Sequence, residues 1–185
     1  KTIIDAALEK ARHVIVLIGS SKEARSVRNP FFWEERAAMI TGAYGEEEQK
    51  RIHCTPLLDL PYAEQSWIRN VQMSVQGIAC QYQVTGTKRI ALIGHAKDHT
   101  SYYLSMFPQW DNVNVPRFLD LNATQVREKF LRLDGTFAAD DFHGAGAPDS
   151  TVDFLADFYG SEDYRALQHE QRVIDDYKNA WAEAP

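Results

Sequence analysis

The chain has 185 residues, 44% of them hydrophobic and 25% charged, which is enough for a full globular core without disulfide staples. Its formal net charge of −6 argues against a general nucleic-acid binder, although a polyanion can still bind where cations are gathered locally. Two cysteines, Cys54 and Cys80, make neither a disulfide framework nor a zinc site and read as reduced thiols of a cytoplasmic protein, and no apolar run has the length of a membrane span or the form of a signal peptide.

Ile3, Ile4, Ala7, Leu8 and Ala11 recur at helical spacing and predict an amphipathic first helix without an entry cap. That uncapped start at Lys1, with the abrupt end at Glu183-Ala184-Pro185, leads us to expect a piece of a longer polypeptide. Val14 to Ile18 is wholly apolar and reads as a buried parallel strand. It runs into Gly19-Ser20-Ser21, and Lys22, Arg25, Arg28 and Arg36 follow close behind. Residues 32–44 read as a helix, broken by Gly45 and by the acidic run Glu46-Glu47-Glu48, a solvated helix end or loop.

Residues 51–58 predict a second strand, with Pro56 at an edge or near its end. Residues 62–82 predict a long helix whose stripe is Trp67, Val71, Val75, Ile78 and Ala79. Residues 88–94 form a third, apolar strand, and Asp98 can cap a short helix through Leu104. A fourth strand is expected at 113–119, irregular at Pro116, and a helix at 123–133. Residues 134–150 look like loop, after which Asp149 or Ser150 caps a tail of one or two helices. Met39 and Met73 read as core filler.

Strands alternating with helices predict an α/β protein, a doubly wound parallel sheet with a C-terminal helical tail. The α/β domain is expected at 1–133, and 134–185 as a loop and helical tail leading to a further domain. In such sheets ligands gather over the carboxyl ends of the strands. Three segments suit that edge: Gly19-Ser20-Ser21 with its basic loop, Gly94-His95-Ala96-Lys97-Asp98-His99, and Asn122-Ala123-Thr124-Gln125-Val126-Arg127. Helix N-termini and arginine forks both favour phosphate oxygens. A nucleotide or another phosphate ester is the expected ligand.

Each residue also has a plainer reading. His95 reads equally as a hydrogen-bonded surface histidine. Arg28 and Arg127 can be surface ion pairs, Thr124 a helix-start residue, and Trp67 core. His143 and His169 read as solvated, and the pairs Asp140-Asp141 and Asp175-Asp176 lack any histidine spacing that would make a metal site.

The pattern Ile18-Gly19-Ser20-Ser21, then Ser26-Val27-Arg28-Asn29-Pro30-Phe31, Glu35-Arg36 and Met39-Ile40, resembles the nicotinamide-mononucleotide adenylyltransferases of the HxGH nucleotidyltransferase superfamily. Asn122 to Arg127 resembles that superfamily's second signature, with Asn in place of a serine. Gly94 to Tyr103 with Phe107-Pro108-Gln109-Trp110 is similar to the adenylyltransferase half of bifunctional proteins that carry a C-terminal Nudix hydrolase domain. The family's His-x-Gly-His motif is absent from the chain and would fall just before Lys1. We expect it, and a central strand, to lie upstream; without them the sheet would expose open edges.

The resemblance implies a Rossmann-like fold and the reaction of ATP with nicotinamide mononucleotide to give NAD and pyrophosphate, in the presence of Mg2+. It implies Arg28, Arg127 and Thr124 as the residues that handle the phosphates. It puts Gly19 and Ser20 near the mononucleotide, Trp67 against the nicotinamide ring, and Gly94, His95, Lys97 and Asp98 around the adenosine of ATP and its ribose, and it counts Ser21, Arg25, Asn29 and Asn122 among the substrate- or nucleotide-binding residues. No nucleic-acid or membrane partner is implied, and homo-oligomerisation is left open. Three other readings stand beside this one. Another nucleotidyltransferase of the superfamily could act on phosphopantetheine, flavin mononucleotide or nicotinic-acid mononucleotide. A non-catalytic NAD-sensing module would fit a chain without the histidine motif, and a structural oligomerisation domain would leave the phosphate-type loops unexplained.

Overall fold

In a computed structural model, which describes residues 2–82, 90–94, 105–116 and 123–182, the chain sorts into two units, each drawn from two stretches of sequence. The first comprises Lys1–Lys22 with Tyr44–Asp120, the second Glu23–Ala43 with Leu121–Pro185.

The first unit holds all the described strands. After helix α1 (Thr2–Lys10) come β1 (Val14–Ile18), the short α3 (Glu46–Gln49), β2 (Ile52–Pro56), α4 (Glu64–Gln81), β3 (Ala91–Gly94) and β4 (Asp111–Asn114); α2 (Trp33–Gly42) belongs to the second unit. β1 pairs in parallel with β2 and β3 in parallel with β4, the registers running Val14↔Ile52 to Ile18↔Pro56 and Ala91↔Asp111 to Gly94↔Asn114. Parallel pairing with intervening helices is the α/β architecture that the alternating pattern predicts. α1 packs on both β1 and β3. Arg51 caps its end by donating to the carbonyls of Leu8, Ala11 and Arg12, where a cation meets the helix's free carbonyls.

Several details depart from the sequence pattern. The acidic run at 46–48 is a turn of helix, because the Glu48 carboxylate accepts from the Gly45 amide at 3.1 Å. The fourth strand starts earlier than 113 and includes Asp111, Asn112 and Asn114, poor strand formers held by pairing with β3. Asp111 donates to the Ile90 carbonyl and Val115 to that of Gly94, both at 3.0 Å. Residues 117–119, and the expected cap at Asp98, lie outside the described residues. On α4 the buried stripe is Val71, Val75 and Ala79 as the spacing predicts, whereas Met73 is 65% exposed. Two residues from both Val71 and Val75, it is turned to the opposite side of the helix. Met39 is buried.

His13 and His53 meet beside the start of β1. His13 Nδ1 and His53 Nε2 are 3.0 Å apart with ring centroids at 5.2 Å, and Tyr82 stacks at 4.4 and 4.5 Å from the two rings. One nitrogen must accept, so both rings cannot be protonated while the bond stands. Burial, and secondarily His13, hold the His53 pKa below its ordinary value of 6.5. The unfolded chain therefore binds more protons than the native one once pH falls below that value. Stability should be intact above pH 6.5 and be lost as pH falls through the lower native pKa of His53. Urea midpoints between pH 7.5 and 5 should show the fall, and His53→Gln should flatten it; an unchanged slope in that variant would place the effect elsewhere.

The second unit is helical: α2 (Trp33–Gly42), α5 (Ala123–Leu131), α6 (Ala139–His143), α7 (Asp149–Phe158) and α8 (Glu162–Ala182). Its core is aromatic. Phe130, Phe142, Phe158 and Tyr164 pack with Leu131, Val152, Leu155 and Leu167, and Val27 and Phe31 join from the loop before α2. Tyr164 donates to the Phe130 carbonyl at 3.0 Å, and burial pushes its hydroxyl pKa up to about 12. The stretch at 134–150 is not all loop, since α6 forms where Phe142 stacks on Phe137 at 5.1 Å inside this cluster. The tail resolves into two helices, α7 and α8. The residue before α7 is Pro148, and neither Asp149 nor Ser150 occupies the cap position. The Ser150 hydroxyl instead donates to the Met39 carbonyl at 2.8 Å. There α2 and α7 lie so close that a Cβ on Gly42 would come within 2.9 Å of Ser150 Cβ. Among the described residues no helix is long and apolar enough to cross a membrane.

Candidate functional site

The carboxyl ends of β1 and β2 are laced together. Leu57 donates to the Ile18 carbonyl at 2.9 Å, and the buried Ser21 hydroxyl donates to the Leu57 carbonyl at 2.9 Å. Between these bonds the chain passes through Gly19 and Ser20. Ser20 has φ of +52°, one of two non-glycine residues with positive φ among the described residues. That conformation costs an L-residue about 1–2 kcal/mol. Asp59 holds it: Oδ1 accepts from the Ser20 amide at 3.2 Å and Oδ2 from the Ser20 hydroxyl at 2.5 Å. Gly19 does not owe its small size to Asp59, since an added Cβ would stand 3.4 Å from Oδ1, an ordinary contact.

Trp67, in the first turns of α4, is half-buried against Leu57, Val71 and Phe107, with its ring 6.1 Å from that of Phe107. Gly94 ends β3 and is buried. His95, Lys97, Asp98 and Asn122 lie outside the described residues.

The second unit holds the candidate arginines Arg25, Arg28 and Arg127. Arg25 forms a two-pronged pair with Glu35, its Nη1 and Nη2 each 2.9 Å from a carboxylate oxygen. Its Nη1 also donates to the Pro30 carbonyl at 2.6 Å, its Nε lies 3.1 Å from Asp163, and its guanidinium sits 4.0 Å from the centre of the Phe32 ring. Glu35 in turn accepts from the Phe32 amide at 2.6 Å at the start of α2. Arg25 thus ties both ends of the loop that presents Arg28 and Asn29. The loop is closed further by reciprocal amide-to-carbonyl bonds between Ser26 and Asn29, and by the Val27 amide on the Glu170 carboxylate. Arg28 is exposed at its tip. Asn29 Nδ2 is buried without a hydrogen-bond partner among the described residues, a donor whose unmade bond is costly.

On α5, Arg127 Nη2 donates to Thr124 Oγ1 at 3.2 Å, so the two signature residues are brought together one helical turn apart. Thr124 is exposed and Arg127 half-buried. A fork of guanidinium donors beside a hydroxyl can receive phosphate oxygens. The residues discounted as metal ligands have other uses. Asp141 pairs with Lys129 at 3.2 Å, Asp175 with Arg132 at 2.8 Å, and His143 lies 3.4 Å from Asp149. Arg132 holds the Asp175 carboxyl below its usual range. Among the described residues no group of three or more His, Cys, Asp or Glu could hold a metal ion.

Asp59 escaped the sequence reading. Its signal was the rule already applied to the other strands: a polar residue just past the carboxyl end of β2.

No family model matches the chain. It is 35% identical over 173 residues to a nicotinamide/nicotinic acid mononucleotide adenylyltransferase of Acinetobacter baylyi, an alignment covering 93% of this chain and 85% of that protein. It is 23% identical over 167 residues to a nicotinamide-nucleotide adenylyltransferase of Sulfurisphaera tokodaii, covering 89% and 87%. Among solved structures it superposes with TM-score 0.81 and 28% identity on a bifunctional NMN adenylyltransferase/ADP-ribose pyrophosphatase of Francisella tularensis, solved with AMP and a manganese ion. All of this chain and 52% of that one are covered, so the chain spans about half the length of this structural relative.

Proposed function

The chain belongs to the nicotinamide-mononucleotide adenylyltransferase family, and we propose on that basis that it transfers the adenylyl group of ATP to nicotinamide mononucleotide, giving NAD and pyrophosphate. The observation that carries the proposal is the 35% identity to the Acinetobacter protein across nearly the whole chain. In the reaction a phosphate oxygen of the mononucleotide bonds to the α-phosphorus of ATP. The bond from that phosphorus to the bridging β-oxygen breaks, and its electron pair leaves with pyrophosphate. No covalent enzyme intermediate is needed, so the work is positioning and charge stabilisation.

Each unit has its share. In the helical unit, Arg28 at the tip of the braced loop is assigned to the substrate phosphates, and Arg127 with Thr124 to the β- and γ-phosphates of ATP. Asn29, whose buried amide donor has no partner among the described residues, is assigned to substrate binding, as is Arg25, which also braces the loop. In the strand unit, the Gly19–Ser20–Ser21 turn is assigned to the mononucleotide and Trp67 to its ring. Gly94, His95, Lys97, Asp98 and, from the second signature, Asn122 are assigned to ATP. Mg2+ enters with ATP as part of the substrate, where it neutralises phosphate charge and needs few protein ligands. The bifunctional Francisella relative supports, for the present protein, a second half with ADP-ribose pyrophosphatase activity of the Nudix type; a cytoplasmic place is the reading of its two free thiols, Cys54 and Cys80.

The test is NAD formation from ATP and nicotinamide mononucleotide by the protein expressed from its whole gene. Trp67→Ala should raise KM for the mononucleotide about tenfold and leave KM for ATP nearly unchanged, because a pyridinium loses roughly 1–2 kcal/mol of contact with the indole face. Equal losses for both substrates would make Trp67 a core residue, as its packing on Phe107 also allows. A wild-type protein that forms no NAD would overturn the functional reading.

A further inference from the structure

We infer that Asp59 is a positioning residue for the adenylyl transfer, acting through the strained Ser20 turn and not by touching the nucleotide. The inference rests on the function proposed above. Ser20 is held in the left-handed region at the carboxyl end of β1, where an ordinary side chain gains nothing from being. Such a conformation persists when neighbours over-determine it. Among its neighbours is a carboxylate that accepts both the amide and the hydroxyl of the same residue, from 39 positions away. The hydroxyl bond, at 2.5 Å, has the length of a charge-assisted contact.

Stability is a poor explanation for this clamp. Asp59 is exposed, and exposed polar pairs contribute little to folding. What the clamp does fix is direction. Its two ends stand on β1 and β2, which are locked in register and tied by the Leu57–Ile18 and Ser21–Leu57 bonds. The Gly19–Ser20 backbone is thereby aimed before any ligand arrives, the preorganisation that a transfer reaction without covalent help requires. Direct contact of Asp59 with substrate phosphate is disfavoured, since carboxylate and phosphate repel. The nearby Trp67 side chain shares the Leu57 cluster, so the turn and the proposed ring contact stand on the same support.

The test uses a double-mutant cycle on the protein from its whole gene, with steady-state kinetics in both substrates. Asp59→Ala should raise KM for nicotinamide mononucleotide at least tenfold with KM for ATP changed less than threefold, and the melting temperature should move little. Asp59→Asn should recover most of the loss, since its oxygen still accepts the Ser20 amide and its NH2 can donate to the hydroxyl. In a Ser20→Gly background, where glycine takes positive φ freely, the loss from Asp59→Ala should shrink below threefold. The same loss in both backgrounds, or Asn as damaging as Ala, would overturn the positioning role and point to direct contact with substrate. An Asp59→Ala variant with unaltered KM would also overturn it. An inactive wild type would instead bring down the functional reading on which it stands.

Discussion

Arg127→Ala is expected to lower kcat/KM for NAD formation by about 10²–10³-fold, equivalent to about 2.7–4 kcal/mol of transition-state stabilisation, with the fold intact. The size follows from what a guanidinium does at a triphosphate. Charge builds on the leaving pyrophosphate as the bond to the α-phosphorus breaks, and a forked donor held in place stabilises it without reorganisation. Arg127 is half-buried on α5 and already oriented by its bond to Thr124 at 3.2 Å. Steady-state kinetics beside a circular-dichroism melt would separate the outcomes. A loss in kcat and kcat/KM alike means an interaction made in the transition state; a rise in KM for ATP alone means uniform binding. Turnover near wild type would remove Arg127 from the reaction. Arg127→Lys should retain part of the charge effect and lose the fork.

The largest effect on stability should come from Phe142→Ala, about 3–5 kcal/mol, measured by urea unfolding. Phe142 is 0% exposed, stacks on Phe137 and meets the edge of Phe130 at a centroid distance of 5.8 Å. Truncation would leave a cavity among rings that cannot all shift inward, because Phe130 and Tyr164 are tied through the Tyr164 hydroxyl. Domains are stable by only about 5–15 kcal/mol, so the loss is a large fraction of the total. A change under about 1 kcal/mol would mean that the cluster refills the site. The helical unit also holds Val27 and Phe31 of the loop that presents Arg28. Activity should therefore fall with stability in this variant, unlike in Arg127→Ala.

Much of the chain was legible in its local pattern. The wholly apolar β1, the stripe of α4 and the run of α5 follow from periodicity, which depends only on residues a few positions apart. The resemblance carried by Gly19-Ser20-Ser21, by Arg28-Asn29-Pro30-Phe31 and by Thr124 with Arg127 is likewise a matter of spacing along the chain, and it led to the family that the Acinetobacter relative supports. What pattern could not supply was partnership. Arg25, expected among the binding residues, is held by Glu35 and Asp163, the second of these far away in sequence. Residues 134–150 read as loop because α6 is too short for periodicity to register, and it exists because Phe137 and Phe142 find Phe130. Asp59 carried no reading from the sequence, and it is the pairing of β1 and β2 that sets it against Ser20. Helix and strand periods are written into adjacent residues by backbone geometry. Hydrogen-bond partners and aromatic neighbours are set by which distant segments pack together, and a single sequence holds no local trace of that.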